Sequence, residues 1–163
     1  MAWTMLRFTL GCAALGMAAA GALRPVTVLQ FENAARAQVV RMALPAEETF
    51  SVTYHHSIYE QPITEEFVVD ADRRIVLIAV SSPSAAVREY FGITSAGTRH
   101  RMRRALGEEI VFRVAAGTPQ RLTLGGIERS FLEFGSHGDR LVVRAVGTPA
   151  LAHWLSGILH TSS

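Results

Sequence analysis

Two alternating segments on either side of Pro62 constrain the fold of this chain most strongly. Polar and apolar side chains largely alternate over residues 50–55 and again over residues 63–70. That period of two is typical of β-strands with one buried face. Proline cannot donate a hydrogen bond within a sheet, so Pro62 belongs to a connection. We predict an antiparallel hairpin in which residues 59–62 link the two strands.

The predicted hairpin carries a histidine and a carboxylate on its apolar face. Pairing Ile58 with Ile63 would set His56 opposite Glu65 and Tyr54 opposite Phe67. A slip of one residue would turn every apolar side chain outward, so the assignment of faces is stronger than the register. Burying a charge is costly unless the charge is paired. We therefore predict a His56–Glu65 pair.

This pair has two interpretations. It is either a binding or proton-handling pair in a pocket at the end of the sheet, or an ion pair that only fixes the register. Tyr54 would line the same face, and Ser57 would lie at the rim of the pocket. Neighbouring residues on a strand point to opposite faces, so Ser57 and His56 are poorly arranged as a nucleophile and its base.

The same stretch resembles the signature of the bacterial domain of unknown function 1850 (DUF1850) family. That signature reads tyrosine, any residue, histidine-serine and an aliphatic residue, followed by proline-valine, any residue, glutamate, any residue and an aromatic residue. It is carried here by Tyr54, His56, Ser57, Pro62, Ile63, Glu65 and Phe67. The resemblance extends from about residue 26 to residue 146. Residues 81–104 depart from it, because the family commonly has a glycine-rich segment there.

The resemblance implies a role beside a transporter. Members of the family are typically found next to the permease and solute-binding subunits of tripartite (TRAP-type, TAXI) transporters. The resemblance thus implies that the protein contacts one of these subunits and handles a small organic-acid ligand. The family's own activity is not established, so the resemblance assigns no reaction.

Residues 1–24 predict export from the cytoplasm. Arg7 precedes an unbroken run of apolar and small residues from Phe8 to Leu23, and small residues around position 20 offer cleavage sites. This run is shorter than the roughly twenty residues that span a bilayer. The alternative is an uncleaved anchor that holds the protein to the membrane. We expect a periplasmic protein, or one attached to the outer face of the inner membrane.

Composition excludes several chemistries. All sixteen lysine-plus-arginine residues are arginine, which excludes lysine Schiff bases and Walker-type phosphate loops. The only cysteine, Cys12, lies in the N-terminal segment, so the remaining chain has no cysteine nucleophile and no disulfide of its own. The histidines lack the short spacings of common metal sites. We expect neither a metal nor another cofactor.

The remaining chain predicts a mainly β domain over residues 25–163. A first hairpin is expected from residues 26–31 and 38–44, and the aliphatic run 75–80 is typical of a strand buried on both faces. Later strands are predicted at 109–115, 120–124, 130–134 and 140–146, and a helix at 151–159. Short strands at such intervals indicate a single antiparallel β-sandwich or small β-barrel with a short C-terminal helix.

Residues 81–104 interrupt this regular pattern. The loop at residues 81–84, which reads Ser-Ser-Pro-Ser, can cap a short helix at Ala85–Tyr90. Tyr90 and Phe91 would form a lid over a pocket or simply cover the core. The arginine-rich stretch that follows is either a solvated face or a surface for an anion or an acidic partner. The candidate residues of that surface are Arg101, Arg103 and Arg104. We do not expect nucleic acid as a partner, because aromatic residues are not interleaved with the arginines.

Taken together, the sequence predicts a non-enzymatic envelope accessory protein that acts as a ligand-binding or protein-interaction module. A different class is a small hydrolase or isomerase that uses His56 and Glu65 as acid and base. A third class is a purely structural envelope subunit, in which His56 would contribute stability alone.

Overall fold

A computed structural model describes residues 25–118 and 120–149 of the chain. The chain divides into two compact units, residues 1–27 with 147–163 and residues 28–146. The second unit contains the candidate site. The predicted signal segment at 1–24 and the predicted helix at 151–159 lie outside the described residues.

Two antiparallel sheets form the fold, which confirms the predicted mainly β class with a sandwich-like arrangement. The four-stranded sheet has the order β2-β1-β10-β7, and the six-stranded sheet has the order β6-β5-β4-β3-β8-β9. The strands are β1 (Pro25–Asn33), β2 (Gln38–Ala43), β3 (Thr49–His55), β4 (Pro62–Val69), β5 (Ile75–Ser81), β6 (Arg99–Gly107), β7 (Glu109–Arg113), β8 (Arg121–Leu124), β9 (Ile127–Ser130) and β10 (Arg140–Pro149).

One apolar core lies between the sheets. Phe31 and Leu141 of the four-stranded sheet belong to the same buried cluster as Phe67 and Leu122 of the six-stranded sheet. Alternation along β3, β8 and β10 sends every second side chain toward this cluster, as the period of two predicts. The strand β5 is buried along most of its length, as its continuous aliphatic sequence predicts.

The register of β3 and β4 corrects the sequence prediction. Tyr54 lies opposite Ile63, four residues from the predicted Phe67, and Val52 rather than His56 lies opposite Glu65. A shift of four residues is even, so the predicted faces of both strands are preserved. The observed register also sets Phe50 opposite Phe67, whose rings stack with centroids 4.9 Å apart.

The shift arises from the connection between these strands, which runs from 56 to 61 rather than from 59 to 62. The backbone N–H of His56 donates to the carbonyl of Gln61 at 2.9 Å, and that of Glu60 donates to the carbonyl of His56 at 2.8 Å. Glu60 adopts a positive φ of 50°. His56 thus leaves the ladder at the start of the connection and cannot form the predicted cross-strand pair with Glu65.

Two further segments differ from the sequence predictions. Sequence reasoning assigns no element to the arginine-rich stretch, yet it forms β6, in which buried His100 and half-buried Met102 alternate with exposed arginines. The predicted strand at 130–134 is instead a 3₁₀ helix, Phe131–Glu133. A capping box starts this helix, because the Ser130 side chain accepts from the backbone and Glu133 accepts from the backbone N–H of Ser130.

The predicted short helix is confirmed as α1 (Ala85–Tyr90). Its N-cap is Ser84, whose hydroxyl accepts from the backbone N–H of Val87 at 3.4 Å. Val87 is fully buried, which anchors the helix and brings Tyr90 at its end beside the β3–β4 connection. Another 3₁₀ helix spans Ala34–Arg36. No helix among the described residues is long and apolar enough to cross a membrane.

Candidate functional site

A cleft of about 930 Å³ lies between the β3–β4 connection and the end of β7. We call it the β3–β7 cleft. This volume is within the usual range of small-molecule sites, roughly 300–1,000 Å³. The cleft is lined by Tyr54, His55, His56, Ser57, Glu60, Val111, Phe112, Arg113, Val114, Ala115, Thr118, Gln120 and His137. Three predicted site residues, Tyr54, His56 and Ser57, therefore meet in one cleft.

His56 is buried, with 8% of its surface exposed. Its ring lies 4.9 Å from the ring of Tyr59 and 4.8 Å from that of Tyr90, measured between centroids. The backbone N–H of Ile58 donates to its Nδ1 at 3.2 Å. Because Nδ1 accepts this bond, the hydrogen of the neutral ring is on Nε2. His56 is thus an Nε2–H donor.

His137 has the same tautomer for the same reason. The backbone N–H of Ala116 donates to its Nδ1 at 3.1 Å, so Nε2 carries the hydrogen. Beside it, Arg113 uses one guanidinium nitrogen to donate to the carbonyl of Gly138 at 3.1 Å. Sequence reasoning missed both residues. The turn-rich stretch around His137 indicates only a loop, and nothing local shows that it meets the end of β7.

His55 also lines the cleft, although strand alternation places it on the face opposite to Tyr54. It is the last residue of β3, where the sheet ends. Its Nδ1 is buried and has no hydrogen-bond partner in the part of the chain that the structure describes. A buried nitrogen without a partner is uncommon in folded proteins.

Glu65 does not line the cleft. Burial raises the pKa of its carboxyl, while a hydrogen bond from Tyr54 and the charge of Arg104 act in the opposite direction. The pKa of the Tyr54 hydroxyl is raised above its ordinary value, mainly by burial and to a lesser extent by the charge of Glu65. The structure thus places Glu65 beside Tyr54 and close enough to Arg104 to feel its charge, and Val52 rather than His56 lies opposite it.

The predicted arginine cluster is divided between the two faces of β6. Arg104 is close enough to influence Glu65, whereas the charge of Arg101 acts on Glu66 of the opposite face. Arg103 is exposed, and alternation places it with Arg101. Glu66 already forms a two-pronged ion pair with Arg99, at 2.6 Å and 2.7 Å. The three candidate arginines therefore do not form one surface.

The described residues contain no group of three or more histidine, cysteine, aspartate or glutamate side chains that could hold a metal ion. The three histidines of the cleft are included in that search.

No protein-family model, curated protein or solved structure matches this chain. The interpretation of the cleft accordingly depends on its own residues. These combine two histidines with Nε2–H donors, an arginine and an aromatic wall that includes Tyr54 and Phe112.

Proposed function

We propose that this protein is a non-enzymatic accessory protein of the cell envelope that binds a small organic acid in the β3–β7 cleft. The observation that carries the proposal is the fixed Nε2–H donor of His56 in a cleft that also holds Arg113. A carboxylate accepts hydrogen bonds from both groups, and charge-assisted bonds of this kind are the stronger ones. Phe112 and Tyr54 supply apolar surface for the carbon skeleton.

The tautomers of the histidines favour binding over acid–base chemistry. A general base needs an imidazole nitrogen that is free to accept a proton. In His56 and His137 the Nδ1 atom already accepts a backbone N–H, and Nε2 already carries a hydrogen. The alternative enzyme also requires His56 beside Glu65, whereas Val52 occupies the position opposite that glutamate.

The resemblance to the DUF1850 family supports a role beside a TRAP-type transporter. The surface next to His56 offers a place for such a contact, because Ile58, Tyr59 and Tyr90 are 72%, 39% and 63% exposed. Clustered apolar side chains at a surface commonly mark protein contacts. The proposed partner is the permease or the solute-binding subunit, with residues 1–24 directing export or membrane attachment.

Calorimetric titration of the full chain tests ligand binding. The ligands are aliphatic and aromatic carboxylates, benzoate among them, each compared with its neutral amide. The matched variant is His56→Asn, whose side-chain oxygen can still accept from Ile58 while the Nε2–H is lost. We expect acids to bind more tightly than amides, and H56N to weaken acid binding about tenfold, or ~1.4 kcal/mol.

Two results would overturn this proposal. One is a folded protein that binds none of the acids, which would favour a structural subunit. The other is turnover of a ligand that disappears in Glu65→Gln while binding remains, which would favour the enzyme. The transporter role is tested separately by co-purification with the permease and solute-binding subunits, where we expect Tyr90→Ala to reduce recovery.

A further inference from the structure

A single carboxylate oxygen organises the loop that carries His137. Oδ2 of Asp139 accepts from Nδ2 of Asn33, from the backbone N–H of Ser136 and from Nε of Arg36, each at 2.9 Å. Asn33 ends β1, and Arg36 belongs to the 3₁₀ helix that follows it. The carboxylate therefore ties residues 135–139, which we call the His137 loop, to a distant part of the chain.

This attachment leaves little room for movement. Asn33 is 1% exposed, and its Nδ2 also donates to the carbonyl of Phe134 at 3.1 Å. A Cβ atom at Gly135 would lie 2.6 Å from that nitrogen and 3.1 Å from Oδ2 of Asp139. Only glycine fits at this position without a shift of its neighbours.

The other side of the His137 loop is bound to the end of β7. The N–H of Gly138 donates to the carbonyl of Val114 at 2.8 Å, and the N–H of Val114 donates to the carbonyl of Asp139 at 2.9 Å. The Arg113 guanidinium reaches the carbonyl of Gly138. His137 is thus held between two attached segments, and the N–H of Ala116 fixes its ring through Nδ1.

We propose that His137 joins Arg113 and His56 in recognising the carboxylate of the ligand in the β3–β7 cleft, and that Asp139 with Asn33 positions His137. This inference rests on the proposed function, since it concerns the same cleft. A loop held for stability alone would not need a histidine at 137. Here the attachments fix the His137 ring through Nδ1 and leave its Nε2–H available. The Arg113 guanidinium beside it donates to Gly138 through one nitrogen and keeps its other N–H groups for a ligand.

The charge of Asp139 does not oppose an anionic ligand. Its carboxylate is paired with Arg36 at 2.9 Å and accepts two further hydrogen bonds, which hold its pKa down to about 2. Arg113 forms no ion pair with an acidic side chain of the described residues. Its positive charge is therefore available at the cleft.

Two substitutions at position 137 test whether the Nε2–H donor of His137, rather than another part of its ring, contributes to ligand binding. His137→Asn keeps an acceptor for the N–H of Ala116 and loses the Nε2–H, whereas His137→Gln keeps a donor near the position of Nε2. With benzoate as the probe and benzamide as its neutral match, we expect H137N to weaken benzoate binding about tenfold. H137Q should restore most of this loss, and benzamide should bind all three proteins about equally.

Asp139→Asn tests the positioning role in the full chain. Imidazole ¹⁵N shifts report which nitrogen carries the hydrogen, and a loss of stability alone would not change them. We expect D139N to shift His137 away from a pure Nε2–H tautomer, to leave His56 unchanged and to weaken benzoate binding several-fold. If D139N does not fold, the two variants at 137 still test recognition, and Asn33→Ala provides the same tautomer readout.

The outcomes separate this inference from the proposed function. If the wild-type protein binds no benzoate or other acid, the proposed function fails and this inference fails with it. If the wild type binds benzoate and H137N binds it equally well, the cleft remains a binding site but His137 takes no part in recognising the carboxylate. If H137N weakens binding and the His137 tautomer is unchanged in D139N and N33A, the positioning role is wrong.

Discussion

The hydroxyl of Tyr54 on β3 interacts with the carboxylate of Glu65 on β4, within the face that both strands turn toward the core, and each group shifts the pKa of the other. This contact gives the half-buried carboxylate a donor from a residue that lines the cleft. Glu65 therefore supports the ring of Tyr54, which lines the cleft. His56 instead packs against Tyr59 and Tyr90.

Glu65→Leu should destabilise the protein much more than Glu65→Gln. Leucine leaves the partly buried Tyr54 hydroxyl without its acceptor, which typically costs about 1–3 kcal/mol. Glutamine keeps an acceptor and removes the charge that burial disfavours, so its free energy of unfolding should stay within about 1 kcal/mol of wild type. Urea denaturation at neutral pH measures both. Equal losses in the two variants would contradict the Tyr54–Glu65 contact.

The difference between Glu65→Gln and wild type should also depend on pH. The folded-state pKa of Glu65 is raised, so its protonated form favours the folded state at low pH, and this advantage is lost as pH rises through the raised value. Glutamine does not titrate. The variant should therefore gain stability relative to wild type as pH rises from about 4 to neutrality, and a difference that is independent of pH would contradict this assignment.

Gly135→Ala should destabilise the protein, whereas Gly117→Ala should have little effect. A Cβ at position 135 would press on Asn33 and Asp139, while a Cβ at position 117 meets nothing within 4 Å. Overpacking of this kind typically costs about 1–3 kcal/mol. Neither glycine needs a positive φ, so the comparison isolates the lack of space. Denaturation midpoints measure it, and equal effects would show that the His137 loop adapts.

Asp139→Asn should lower the free energy of unfolding near neutral pH, and this difference from wild type should disappear in acid. The hydrogen bond from Asn33, together with those from Ser136 and Arg36, lowers the pKa of Asp139 to about 2. A lowered folded-state pKa means that the contribution is present above the ordinary pKa of about 3.9 and disappears as pH falls through about 2. Unfolding curves of wild type and D139N should therefore converge over that interval. A constant difference would mean that the charge of Asp139 contributes nothing.

The strands and the short helix could be predicted because their signals are local. Alternation assigns Tyr54 and Glu65 to one face whatever the register, and Ser84 lies where a helix N-cap is needed. The register could not be predicted in the same way. It depends on the backbone of the connection, where Glu60 takes a positive φ that a glutamate rarely adopts.

Most of the cleft lining could not be predicted from the sequence either. Tyr54, His56 and Ser57 lie within one stretch, so they could be singled out together. His137 and Arg113 join them only through the contacts of Asp139 and Val114, which link segments distant in the chain. Glu65 was expected in the site because a buried carboxylate suggests function, yet it does not line the cleft and interacts with Tyr54 instead.

The central claim is that the Nε2–H of His56 donates to an organic acid in the β3–β7 cleft. The most direct measurement is ¹⁵N NMR of the histidine rings of the full chain during addition of benzoate, with benzamide as the control. We predict that His56 is already the Nε2–H tautomer without ligand, and that its Nε2 signal moves with benzoate and much less with benzamide. An Nδ1–H tautomer, or a signal that benzoate leaves unmoved, would contradict the account.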